Sequence, residues 1–424
     1  MAENKKENKI LNKNKKAKVI SIILILLLII LVVVSLAYSQ NIKLANSSNE
    51  EQEVQEGKTQ EIVLEDNKYM HVEIDASGDQ VPVPNGFVGS KVTGENEIDS
   101  GYVIYAINEG ETEDTVEIND TNKDEAQKTR NQYVWVPVPD ISKFYGTDAN
   151  GKKWGKTYNF TTGTSSDSTF DGVTGTYALN WSETNGIMRI SYGTSNREAD
   201  VLSGRDTPYY LKTYGVSEGS MHDFLIRQEI DFSKMINSVE KYGGFYIGRY
   251  ETGNLNQDVA VVQKGNTNIS SQTWFSMYEK CKTLSDNNNN IETGMIWGNQ
   301  WDRTLMWLIE CNTQNPETGK SKEEVISDSA SWGNYSNSMG EAATGHGNRR
   351  PTGYNEAWKA NNIYDLAGNV MDWTMEASYT YFRVLRGGYY SFTGATYPAR
   401  NRYASNYPTN SDNTNGCRTT LYIK

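Results

Sequence analysis

Three cysteines (Cys281, Cys311 and Cys417) and three histidines (His71, His222 and His346) are all that this chain of 424 residues contains. The cysteines are too few, and odd in number, for a disulfide framework, so hydrophobic burial has to hold the fold together. The histidines fall in three separate contexts and form no ligand cluster. No G-x-S-x-G, Walker A or H-E-x-x-H pattern is present either, which removes the common signatures of serine hydrolases, phosphate-binding loops and zinc proteases. Positive charge is in deficit, with a net charge of −12. Leu-rich helical periodicity is rare. What is abundant is aromatic: 27 tyrosines, set among many Asn, Gly, Ser and Thr, suit a β-rich, loop-rich body better than a helical bundle.

The N-terminus sets the expected compartment. Residues 1–18 carry seven lysines and two glutamates, and residues 19–38 then run without a charge as VISIILILLLIILVVVSLAY. A helix of that length, at about 1.5 Å per residue, spans roughly the 30 Å hydrocarbon core of a bilayer. The Lys-rich tail belongs on the cytoplasmic side, so the expectation is a single-pass protein of the cell membrane with its bulk extracellular. A cleavable signal peptide is the competing reading, since Ser35 and Ala37 offer a small-x-small site, although such apolar regions run to about 7–15 residues. With the tail's +5 removed from the total, the remainder carries −17. A body so acidic excludes non-specific nucleic-acid binding.

Residues 39–80 are polar and acidic (NSSNEEQEVQEGKTQ is typical) and read as a stalk. Residues 81–132 turn β-rich, with VPVPNGFVGSKV and GYVIYAINEG broken by Gly and Pro. They are either a small separate β-domain or the first strands of a larger one. Residues 133–424 open on YVWVPVPD, where Trp135 sits between valines as a core residue. Met235, Ile236, Val239 and Tyr242 fall at helical spacing ahead of Gly243-Gly244, which predicts a helix stop followed by the strand FYIGRYE. Further helices are predicted over 274–284 and 300–311. Few helices followed by strands and loops indicate an α+β domain without βαβ repetition.

The most informative stretch is NIYDLAGNVMDWTMEASYTYFRVLRGGYY, residues 362–390. Asp365, Gly368, Val370 and Asp372 follow the spacing i, i+3, i+5, i+7. A turn leading into a strand can aim two carboxylates and two carbonyls at one centre, the hard-oxygen surroundings that calcium prefers, with Gly368 free to take a positive φ. The alternative is an Asx turn closed by Asp365 and a solvated Asp372. After the strand FRVL, the glycines of Arg386-Gly387-Gly388 allow close backbone approach. Arg386 can bridge structurally to a carboxylate such as Glu376 or Asp372, or contact a ligand directly.

IYDLAGNVMDW, then RVLRGGYYS, then GCRTTLYI resembles the C-terminal signature of the formylglycine-generating enzyme, or sulfatase-modifying factor, family. Upstream, FYIGRYETG and GNQWDRTLMWL fall in family order. The resemblance implies a C-type-lectin-like α+β fold over residues 133–424 and calcium at Asp365, Gly368, Val370 and Asp372, with Asp372 standing where the family usually has Glu. Members that oxidise a sulfatase cysteine hold copper with a cysteine pair just after Arg-Gly-Gly-Ser, because soft thiolates select Cu(I). Here that stretch is YYSFTGATYPARNR, without cysteine. Relatives that are iron-dependent sulfoxide synthases use a histidine cluster. No copper or iron is therefore expected, and the chain departs from the family's oxidase chemistry, although an enzyme with a rearranged site stays open.

Cys281 and Cys417 each share an apolar face with their neighbours and read as buried core thiols. The segment 389–415 instead mixes Tyr, Asn, Ser, Thr and Arg in loops, a composition suited to recognition, because Tyr gives rigid amphipathic area and Asn and Ser adaptable hydrogen bonds. Tyr389, Tyr390, Phe392, Tyr397, Arg400, Arg402, Tyr403 and Tyr407 are the candidate contacts for a protein or glycan ligand. The same residues could instead pack on the domain body, leaving a structural cell-envelope domain.

Overall fold

The computed structural model of the chain describes residues 62–147, 153–155, 218–255, 259–378, 382–406, 408 and 410–424. The apolar run at 19–38 and the candidate Tyr407 lie outside them. Among the described residues no helix is long and apolar enough to cross a membrane. The residues from Glu61 onward fold as one compact unit, and it is mixed α+β.

The first paired strands among the described residues are the hairpin β1 (Met70–Ile74) and β2 (Gln80–Pro84). β1 thus begins inside the segment whose polar composition reads as stalk. The reason is local: Met70, Val81 and Val83 are buried together, and Glu73 is tied to the body by accepting from Tyr102 Oη at 2.8 Å and the Gly89 N–H at 3.0 Å. Strands β3 (Phe87–Gly89), β4 (Val103–Ala106), β5 (Gln132–Pro137), β6 (Gly244–Gly248) and β7 (Ile291–Met295) join the C-terminal strand in a single antiparallel sheet. Its order is β7, C-terminal strand (Thr419–Ile423), β6, β5, β4, β3. Residues 81–132 therefore supply β3, at the edge of the main sheet, and β4 beside it, and they belong to the same compact unit as the rest.

Both faces of this sheet are covered, which explains why YVWVP reads as an unbroken apolar run. Val134, Val136, Phe245 and Ile247 face one core, and Tyr133, Trp135, Tyr246 and Leu421 the other. Trp135 packs on Tyr246 with ring centroids 4.9 Å apart. Three of the helices are α1 (Glu218–Tyr242), α2 (Trp274–Thr283) and α3 (Gly298–Asn312). α1 buries Met235, Ile236 and Val239, and it stops where Gly243 takes φ 79° and donates its N–H to the Val239 carbonyl at 2.9 Å. α3 buries Trp301, Leu305 and Leu308.

A second sheet completes the body: β8 (Met371–Ser378), β9 (Phe382–Arg386), β10 (Arg402–Asn406) and β11 (Asn415–Cys417), in the order β10, β9, β8, β11. β8 pairs with β9 antiparallel and with β11 parallel. β12 is the C-terminal strand Thr419–Ile423. Only Arg418 separates β11 from β12, so this one residue sits where the two sheets meet.

Candidate functional site

The chain ahead of β8 is bent by an unusual run of left-handed residues: Asn361 (φ 42°), Asn362 (61°), Asp365 (55°), Gly368 (76°) and Asn369 (59°). Asn and Asp tolerate this region better than other side chains, and glycine does so freely. At Gly368 the requirement is also steric, since an added Cβ would meet the Asn334 carbonyl oxygen at 2.2 Å. The Gly368 N–H donates to the Gly387 carbonyl at 2.7 Å, so the two glycine elements of the long motif meet in space. Gly368→Ala should therefore destabilise the fold by about 2 kcal/mol or more, seen as a lower urea midpoint. A neutral Gly368→Ala would show that the turn relaxes without it.

Below this turn lies a buried acidic cluster of Glu251, Asp365 and Asp372, each no more than 1% exposed. Glu251 accepts from Asn369 Nδ2 at 2.7 Å, from the Val370 N–H at 3.2 Å and from Asn268 Nδ2. Asp365 accepts the Gly353 N–H at 2.7 Å. Asp372 accepts from Arg418 Nε at 3.2 Å, and the same guanidinium donates to the carbonyls of Gly248 and Tyr364. One oxygen of each aspartate, Oδ1 in both, has no hydrogen-bond partner. Burial, opposed by the Gly353 N–H and Arg418, pushes the Asp365 carboxyl up to about 7. Burial raises Asp372 to about 6 despite Arg418. Glu251 is raised too, by burial first and then by the Asp365 and Asp372 charges.

Three carboxylates face one arginine, so the cluster holds surplus negative charge, and its two orphan oxygens are hard donors of the kind calcium takes. Two features oppose a ready-made cage. Val370 turns its N–H, an electropositive group, towards Glu251, and Arg418 already stands beside Asp372. Among the described residues no group of three or more His, Cys, Asp or Glu is placed to hold a metal ion.

A second ionic group lies between α3 and the second sheet. Arg386 on β9 donates to Glu376 Oε2 at 3.0 Å and to Asp302 Oδ1. Arg402 on β10 donates to Asp302 Oδ2 at 2.7 Å and places Nε 2.6 Å from Glu376 Oε1. Two cations and two anions thus close a box that is fully buried but for Arg402, which is 14% exposed. Arg386 bridges Glu376 and Asp302, whereas Asp372 belongs to Arg418. Gly387 (φ 88°) and Gly388 (φ 74°) continue directly from the box, and a Cβ on Gly388 would meet the Tyr397 carbonyl oxygen at 2.2 Å.

The candidate tyrosines lie just beyond. Tyr389 and Phe392 have centroids 4.9 Å apart, Phe392 and Tyr397 4.8 Å, and Tyr397 and Tyr403 6.3 Å, with Tyr390 against Tyr389 at 5.9 Å. Five of the eight candidates therefore form one aromatic patch, with Phe392 and Tyr403 each 37% exposed. The two arginines are engaged with the body instead: Arg402 in the ion box, and Arg400 through Nε to the Ile326 carbonyl at 2.5 Å.

No protein-family model matches the chain, and no curated protein matches it. Sequence reasoning passed over Glu251, Asp302 and Arg418, each of which completes a cluster. The signal available was a charged residue inside an otherwise apolar segment: RYETG for Glu251, GNQWDRTLMWL for Asp302 and GCRTTLYI for Arg418.

Proposed function

We propose that the chain is a membrane-anchored, outward-facing, non-catalytic domain of the sulfatase-modifying-factor, C-type-lectin-like kind that binds a protein or glycan ligand. The observation that carries this reading is the aromatic patch of Tyr389, Tyr390, Phe392, Tyr397 and Tyr403. Contiguous, partly exposed aromatic rings on a polar surface offer large contact area at low conformational cost. The ion box beneath it anchors β9 and β10, so the rings are held on rigid backbone, which spares a ligand the cost of ordering them. The anchor reading rests on the uncharged run at 19–38 behind its lysines.

Calcium at Asp365, Gly368, Val370 and Asp372 is part of the proposal. The orphan Oδ1 atoms and the surplus negative charge support it. The oxidase alternative requires a thiol pair open to substrate, and Cys281, Cys311 and Cys417 are all buried.

The test uses a glycan array and a cell-envelope protein extract as probes of the wild-type chain and of a Tyr397→Ala, Tyr403→Ala double variant. Binding to one probe class that falls at least tenfold in the variant, with the melting temperature unchanged, is the expected result. Equal binding by both chains would remove the patch from the function. No binding to either probe would return the chain to a structural role in the envelope.

A further inference from the structure

Cys281 and Cys417 lie 136 positions apart in the chain, yet their sulfurs are 3.6 Å apart. Neither thiol is exposed. Cys281 is on the inward face of α2 beside Met277 and Tyr278, and Cys417 is the last residue of β11, directly before Arg418. Besides the other sulfur, the Cys281 thiol has the hydroxyls of Thr252, Oγ1 at 4.0 Å, and Thr419 in reach, and these two hydroxyls are bonded to each other at 2.8 Å. A disulfide needs a sulfur–sulfur distance of about 2.05 Å. Closing the remaining gap of about 1.5 Å calls for side-chain rotations on the order of 30° at each χ1, a displacement of the size that off-rotamer side chains adopt at about 0.5–1.5 kcal/mol each.

We propose that Cys281 and Cys417 form an intramolecular disulfide when the chain meets an oxidised thiol–disulfide pool. One thiolate attacks a sulfur of a small disulfide such as oxidised glutathione and expels one reduced thiolate, leaving a mixed disulfide. The other cysteine then attacks the protein-bound sulfur and expels the second. The chain loses two electrons and two protons, and the small disulfide becomes two thiols. Because both sulfurs are buried, exchange runs through the folding chain or a local opening. The bond would fasten α2 to the strand that continues into Arg418, and so fix the guanidinium against Asp372. Cys311 has no part in it: it lies on α3, and burial pushes its thiol up to about 12.

The test takes the purified full-length chain, unfolds it in urea, refolds it in a buffer of oxidised and reduced glutathione, and then quenches, denatures and alkylates it. This reads the geometry alone and does not depend on the compartment assigned above. The expected result is one alkylated cysteine, Cys311, and a peptide pair joined through Cys281 and Cys417, about 2 Da below the reduced sum. Reduction should lower the melting temperature by about 10 °C, the loop closed being long, and Cys281→Ser should remove that sensitivity to reductant. Three alkylated cysteines after refolding, or a cross-link that includes Cys311, would overturn the proposal.

Discussion

Arg386→Ala lowers the stability of the folded body by about 3–5 kcal/mol in a urea titration at neutral pH. The size follows from what is left behind. Asp302 and Glu376 are both fully buried, and without Arg386 they face each other with only Arg402, whose guanidinium is partly solvated. Forming a buried ion pair from solvated ions gains little, but deleting one member strands charge in a low dielectric. Arg402→Ala should cost less, since water can reach the vacated position. Arg386→Lys keeps the charge and loses the fork that reaches both carboxylates, so it falls between the two.

The pH dependence of that variant has a definite sign. Burial already holds the Glu376 carboxyl above its usual value, partly offset by Arg402 and Arg386. Removing Arg386 raises it further. A carboxyl whose folded value exceeds its unfolded one binds more protons in the folded state, so stability falls as pH rises between the two values. The deficit of Arg386→Ala should therefore be largest at pH 8 and shrink towards pH 5. A loss below about 1 kcal/mol at every pH would mean that the box contributes nothing.

The local features of this fold were legible in the residues, and the long-range ones were not. Periodicity placed the helices at 274–283 and 298–312 to within two residues, because apolar spacing is encoded within a few turns of chain. The bend at Gly368 was equally local. Which charges meet was not: Glu251 reaches the motif across 119 positions, and Asp302 reaches Arg402 across 100. Composition could mark 389–415 as recognition-like, but it could not separate tyrosines that cluster at the surface from Arg402, drawn inward by buried carboxylates, and Arg400, held by the Ile326 carbonyl. The thiol pair escaped for the same reason, since α2 and β11 are brought together only by the finished sheets.

Free of divalent cations, the protein should be more stable at pH 5 than at pH 8, by on the order of a few kcal/mol, and calcium should reverse the difference. Burial pushes the Asp365 carboxyl up to about 7 and that of Asp372 up to about 6, above an unfolded aspartate near 3.9. Each therefore binds more protons folded than unfolded between those values, and so does the raised Glu251, so stability declines as pH rises from about 4. The physical cause is the surplus of three carboxylates over one arginine: something must neutralise it, and protons do so only at low pH. A divalent cation does the same work at pH 8, and it binds the deprotonated oxygens, so its stabilisation should grow as pH rises. The measurement is thermal melting in chelator and in calcium at pH 5, 6, 7 and 8. Asp365→Asn, which removes one charge without changing shape, should flatten the decline in chelator and weaken the response to calcium. If chelator and calcium curves coincide at every pH while the decline remains, the cluster is held by protons alone and calcium leaves the proposal. If calcium lifts the pH 8 curve and Asp365→Asn abolishes the lift, the turn ahead of β8 is the binding site.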